Sequence, residues 1–508
     1  MLNLLLRTKI ASPSFVGFAM TSLRGVPIVI GTTKQSIQHI TLNTTMVLFI
    51  ALANILIYSG CSPKIKPATE NMNTAKDTVK IAKQNPPVEK ETLKTNKDDY
   101  YKKNFFRYED YTYNDNIKTI LLYKEGFELA PPLIQLGGTE KLKLSFDDMG
   151  GEYTTYKYTL IHCDANWKPS DMIITEYLNG FTDDYISTYS ASFNTLQKYY
   201  HYDLTFPTEN LMPTKSGNYI LKVFRDEDTE ENLAFTRRFM IFDQRVDVTG
   251  EVKHATSNDD RDYKQEVDFV IAYNNYTISS PFTDLKVVLT QNDRWDNAIT
   301  DLKPKYVKNN ELDYNYTNGE NTFNGGNEFR HFDIKSVQFI SDRIRKITTD
   351  SSGYQVYLMP DIRRSFTVYS SMQDINGKKF IKTDESIKNP DIEGEYVYVH
   401  FTLPYYESVS DGNIYIFGAL TDWHYQKEAI MKYNKSIGAY EGTLYLKQGY
   451  YNYEYVLLKN NESVGDETFM EGNHYDTEND YTIYVYHQEQ GTTFDKLIAV
   501  KRLNTFRK

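Results

Sequence analysis

The sequence predicts an all-β protein, a set of tandem immunoglobulin-like β-sandwich domains behind a signal peptide and a flexible tether. Three observations carry this. Apolar side chains recur at every second position through most of the chain after residue 118, helical stripes are scarce, and 43 Tyr with 27 Phe supply rings suited to pleated, half-buried strands. At 508 residues the chain exceeds what one core fills, since single cores stop growing at about 250–300 residues, so about two to four domains are expected.

The N-terminal segment, residues 1–60, reads as an address. From Met46 to Tyr58 runs an apolar stretch broken only by Asn54. It is too short to cross a hydrocarbon core as a helix, which takes about 20 residues, and fits the apolar region of a signal peptide. Tyr58-Ser59-Gly60-Cys61 follows and resembles a bacterial lipobox, which implies lipid attachment at Cys61, although Tyr58 replaces the usual aliphatic residue. The stretch lies far from Met1 and residues 41–45 carry no positive charge, so translation is expected to start downstream of Met1. Residues 61–104 are rich in Lys, Thr, Asn, Pro and Glu and cannot bury enough surface to offset their ordering entropy; they form a linker. Ser62-Pro63-Lys64-Ile65-Lys66 lacks the acidic cluster that resembles a surface-export signal, which implies the periplasmic leaflet.

A first sandwich is expected over 105–244. Leu142, Leu144 and Phe146 alternate with Lys141, Lys143 and Ser145; Asp147-Asp148-Met149-Gly150-Gly151 supplies turn chemistry; Tyr156, Tyr158 and Leu160 then resume, which reads as a hairpin. Tyr219, Leu221 and Val223 and the run Phe235 to Phe242 add strands. A second sandwich is expected over 245–391, with Val267, Phe269, Ile271 and Tyr273 on one face, followed by Leu285, Val287 and Leu289. Asn324-Gly325-Gly326-Asn327 and Asn376-Gly377 are tight-turn signals, because Gly and Asn tolerate positive φ. The third is expected over 392–508, from Ile414 and Ile416, the ladder Tyr451, Tyr453, Tyr455 and Leu457, and Ile483 and Val485. The three blocks are not copies of one another.

A net charge of −11, with no basic stripe interleaved with aromatics, argues against nucleic acid as a partner. The two cysteines, Cys61 and Cys163, sit in unlike settings and are not expected to pair.

Residues 119–244 resemble the N-terminal domain of the type IX secretion system plug protein family of Bacteroidetes. The likeness rests on Lys124-Glu125-Gly126-Phe127-Glu128-Leu129, Leu144-Ser145-Phe146-Asp147-Asp148, the run from Tyr158 through His162-Cys163-Asp164-Ala165-Asn166-Trp167-Lys168-Pro169-Ser170, Glu176 to Phe181, Ser192 to Thr195, and Ser216 to Tyr219. The resemblance implies a non-catalytic periplasmic protein, anchored as a lipoprotein to the inner leaflet of the outer membrane. It would bind the outer-membrane β-barrel translocon of that secretion system and close its periplasmic opening. Residues 396–486 are similar to early-set immunoglobulin-like domains related to glycogen-binding modules, through Ile414 to Trp423 and Gly449 to Tyr455. That likeness opens a second reading, a glycan-binding outer-membrane lipoprotein using Trp423, Tyr451 and Tyr453. It lacks the second tryptophan after Lys459 that sugar-binding members carry.

Several clusters invite chemistry. His162-Cys163-Asp164 brings together an imidazole, a thiol and a carboxylate, yet on a strand His162 and Cys163 point to opposite faces and cannot form a nucleophile and base pair. Cys163 is expected buried as a small hydrophobe and Trp167 as a core ring. Trp423 and the tyrosine ladder are expected to pack. Asn258 to Asp262 lacks the glycine and distant glutamate of a calcium loop and is expected as solvated turn. No zinc, nucleophile-elbow or phosphate-loop motif is present, so neither enzyme activity, metal nor cofactor is expected.

Overall fold

The computed structural model describes residues 105–385 and 389–506. The signal segment, Cys61 and the 61–104 linker lie outside the described residues. The described residues fall in one compact unit. Within it, the described residues form β-sandwiches around three hydrophobic cores, and a fourth cluster lies between the first two.

In the first sandwich one sheet orders the strands Tyr111–Thr112, Leu233–Phe242, Gly217–Arg225, Tyr156–Cys163 and Asp184–Tyr185. The other orders Ile117–Lys124, Leu142–Asp148, Tyr200–Phe206 and Thr188–Ala191. The stretch 142–160 is therefore not a hairpin. Leu142–Asp148 pairs with Ile117–Lys124 and Tyr200–Phe206, whereas Tyr156–Cys163 pairs in the opposite sheet, and the Gly150-Gly151 turn crosses between layers. Alternation is the same in either arrangement. Phe146 meets Tyr156 of the facing sheet edge to face at 5.2 Å and stacks on Tyr202 of the adjacent strand at 4.9 Å.

The boundary expected at residue 391 is not the one the strands follow. The second sandwich consists of the sheet built on Asp247–His254 and Lys264–Ala272, facing a sheet of Leu285–Gln291, Asp480–His487 and Lys496–Asn504. Ile483 and Val485 pair opposite Leu289 and Val287 and share their core, so these C-terminal strands belong to the second sandwich and not the third. The third is inserted between them. It runs from Arg330–Asp333 to the helical turn Thr468–Glu471, with a five-stranded sheet of Ile344–Asp350, Gly353–Leu358, Tyr396–Pro404, Ala439–Lys447 and Lys432–Asn434. Facing that sheet, the long strand Gly449–Lys459 pairs with Arg330–Asp333, Lys379–Ile381 and Gly412–Phe417.

The two connections to the insertion run side by side. Asn324-Gly325-Gly326-Asn327, which reads as a hairpin turn, is the outbound one. A Cβ on Gly325 would stand 2.0 Å from the His474 carbonyl oxygen of the return, so only glycine permits the approach. Asn376-Gly377 is a turn with positive φ at both residues, as its composition predicts.

Candidate functional site

The clusters that look reactive in the sequence turn out to be joints between sandwiches. On the strand Tyr156–Cys163, His162 faces Tyr219 and Phe494, while Cys163 on the other face packs with Ile220, Tyr484 and Leu497. The Ser170 hydroxyl and the Ser216 carbonyl occupy the two imidazole nitrogens at 2.6 and 3.2 Å. Burial drives the His162 pKa down to about 4 and the Cys163 thiol up to about 12, with Asp164 adding to the latter, so neither group is poised to transfer a proton or attack. Trp167 meets Trp295 of the second sandwich edge to face at 4.9 Å, with the Arg238 guanidinium 4.5 Å over its ring. Asp495 accepts from the Ala165 amide at 2.9 Å, and Tyr486 donates to Asn218 at 2.8 Å.

The residues of the glycan reading are likewise committed. Tyr451 and Tyr453 are 2% and 0% exposed, and their hydroxyls donate to the Lys447 carbonyl and to Asp361. A ring enclosed in this way cannot stack on a sugar, so these two positions are corrected from candidate ligand contacts to core. Trp423 is half-buried, with the Arg294 guanidinium 4.5 Å over it and Phe329 and Phe417 edge-on. Neighbouring Asp422 reaches Arg237 of the first sandwich at 2.8 Å and Lys379 at 3.3 Å. Burial opposes ionisation of Asp422, but these cations outweigh it and hold its pKa down at about 2.

The first and third sandwiches meet over a buried ion network. Asp147 accepts from Lys447 at 2.7 Å, Tyr396 at 2.6 Å and His201 at 2.6 Å. Nε2 of His201 and carboxylate oxygens of Asp203 and Asp391 lie within 4.8 Å of one another, a spacing that a cation could bridge. Lys143 lies 3.1 Å from Asp203, and Lys447 donates to the Asp391 backbone carbonyl, so protein cations already stand beside the cluster. A groove of about 600 Å³ on the first sandwich, lined by Glu125, Lys143, Asp184, Asp203 and Thr205, is open and polar. Its ionisable groups are paired to neighbours. Asn258 to Asp262 forms a largely exposed turn. Among the described residues no helix is long and apolar enough to cross a membrane.

What the surface offers instead is apolar. Phe181, Phe193 and Leu196 are exposed on the first sandwich, and Ile362, Phe366, Val368 and Tyr406 on the third. Sequence reasoning passed over the segment around Phe366, although its apolar residues stand out in a stretch otherwise rich in Ser, Arg and Thr. Fold and surface together define a multi-sandwich protein in which polar chemistry is spent on joining domains and apolar side chains stand exposed on the exterior.

Residues 117–243 match the family described as Type 9 secretion system plug protein 1st domain. A crystal structure of a hypothetical protein from Parabacteroides merdae ATCC 43184 is similar to this chain at 34% identity and a TM-score of 0.75, covering 78% of this chain and 100% of that one. No curated protein matches. Residues 117–243 thus belong to the first-domain family of type IX secretion system plug proteins, which associates the chain with type IX secretion.

Proposed function

We propose that this protein is a non-catalytic periplasmic plug or regulatory subunit that binds the outer-membrane β-barrel translocon of type IX secretion and closes its periplasmic opening. Lipid on Cys61 tethers it to the inner leaflet of the outer membrane, and residues 61–104 span the gap. The observation that carries the reading is the joining of the sandwiches. Trp167 against Trp295, Lys447 against Asp147, and Lys378 against Asp293 tie each of the three sandwiches to both others. A stopper must hold its outline against a pore, and mutually braced sandwiches do so at little entropic cost on binding. Affinity purification of the tagged full chain from native outer membranes is expected to recover the translocon, and deletion is expected to raise outer-membrane permeability. Failure of both removes the proposal.

A further inference from the structure

On the strand Tyr200–Phe206 every second side chain leaves the first core and faces outward. His201 and Asp203 share that outer face, because residues two apart on a strand point the same way, and Asp147 stands opposite His201 on the neighbouring strand Leu142–Asp148. The third sandwich brings up the short turn Pro390–Glu393, which carries Asp391. His201 Nε2 and one carboxylate oxygen each from Asp203 and Asp391 gather within 4.8 Å of one another.

These groups are held from behind. Asp147 bonds His201 Nδ1 at 2.6 Å, which fixes the ring with Nε2 toward the two carboxylates. The Tyr199 hydroxyl and Lys447 donate to the Asp391 carbonyl at 3.2 and 2.6 Å and so pin its main chain. The centre of the cluster is nevertheless poorly satisfied. His201 is only 6% exposed, yet Nε2 has nothing closer than an Asp203 oxygen at 3.4 Å and no well-formed hydrogen bond among the described residues. The Asp391 carboxylate enters no ion pair among the described residues. A buried ring nitrogen without a good partner costs stability, and one fixed in place against two carboxylates has to be explained by what it binds.

We propose that His201, Asp203 and Asp391 bind a divalent transition-metal ion of the zinc class, which clamps the first sandwich to the third. The donor set selects the metal. An imidazole nitrogen with two carboxylate oxygens suits zinc and its first-row neighbours, whereas calcium and magnesium take oxygen ligands throughout. Three protein ligands leave the fourth tetrahedral position to water. Asp147 behind the ring is the usual outer partner of a metal-bound histidine, which it orients and makes more basic. Binding replaces the proton on Nε2, which passes to solvent. Lys143 is the competitor. Its side chain is 29% exposed, so its ammonium can turn to water when the ion takes Asp203. Lys447 holds Asp147 and the Asp391 carbonyl, and leaves the Asp391 carboxylate open. The site stands apart from the plug reading, since it concerns how two sandwiches are held together and not what they meet.

The test uses the purified full chain, stripped of metal and dialysed at about pH 8 against buffered zinc. It compares wild type, Asp391→Asn and Lys143→Ala, each checked for folding by circular dichroism. Wild type is expected to take up zinc in equimolar amount and Asp391→Asn to bind it at least about tenfold more weakly. Lys143→Ala is expected to bind it more tightly, a change of opposite sign that loss of structure would not produce. Cobalt in place of zinc should give the visible absorption of a four-coordinate site in wild type and not in Asp391→Asn. Equal affinity in wild type and Asp391→Asn overturns the site, as does unchanged or weaker binding by Lys143→Ala, or no zinc uptake by wild type. Displacement of zinc by an equal concentration of calcium overturns the choice of metal. None of these outcomes bears on recovery of the translocon, the measure of the plug reading.

Discussion

Lys447 of the third sandwich lies 2.7 Å from Asp147 of the first, and both side chains are 1% exposed. Burial works against the Asp147 carboxylate, yet Lys447 and His201 together hold its pKa below the ordinary range. Removing one partner strands the other charge. Lys447→Met is expected to lose about 3–5 kcal/mol in urea unfolding. Asp147→Asn/Lys447→Met should lose clearly less than the sum of the single variants; strict additivity would show that the two groups are not coupled.

Two of the buried histidines, His201 and His162, pull stability in opposite directions with pH. For His201, burial disfavours the imidazolium, but hydrogen bonds to Asp147 and Asp203 outweigh it and push the pKa up to about 9. Its contribution is complete below the ordinary value and is lost as pH rises through 9, at most about 3 kcal/mol. His162, driven down to about 4 by burial, contributes above the ordinary value and loses that contribution as pH falls toward 4. Urea midpoints between these limits should peak near neutrality. His201→Gln should flatten the alkaline limb, and His162→Gln should reduce the acid one.

Trp167 joins two sandwiches and not one core. Trp167→Ala should cost about 3–5 kcal/mol, and hydrogen exchange should rise at Tyr484 and Tyr486, which share its cluster, more than at Tyr202 in the first core. Equal protection loss in both places would place Trp167 in an ordinary core role.

Cys163 is 0% exposed, with its thiol raised to about 12. In a Cys61→Ser background the native protein should resist iodoacetamide at pH 8 and label fully in denaturant. Rapid native labelling would mean that the joint around Trp167 opens readily.

Alternation in the sequence identifies many strands correctly, because a residue's face depends only on its neighbours two positions away. Val267, Phe269 and Ile271 share a core as their spacing predicts. Pairing is another matter. Nothing local to Ile483 says that it will lie opposite Leu289 and not beside Tyr453, and a period of two fits either sheet. The strand Gly449–Lys459 shows a further limit: Asn452 and Glu454, on its polar face, are as enclosed as its tyrosines because neighbouring segments cover that side. Clusters such as His162-Cys163-Asp164 read as reactive because ionisable groups look the same in a joint as in a site, and only the distances separate the two. The Phe366 segment was illegible for the opposite reason. Phe366 and Val368 alternate as strand residues do, and their exposure is decided by Glu471 and Arg330, far along the chain.

Because Asp480–His487 and Lys496–Asn504 complete a sandwich begun at Asp247, its partner layer stays incomplete until nearly the whole polypeptide has been synthesised. A chain cut short near residue 475 would keep the strands of its third domain and lose its middle one, along with the Tyr484 and Leu497 contacts that brace the first. The order of the strands therefore makes the middle domain the last to close: a prematurely ended chain keeps its insertion and lacks the layer that would cover the core beneath it.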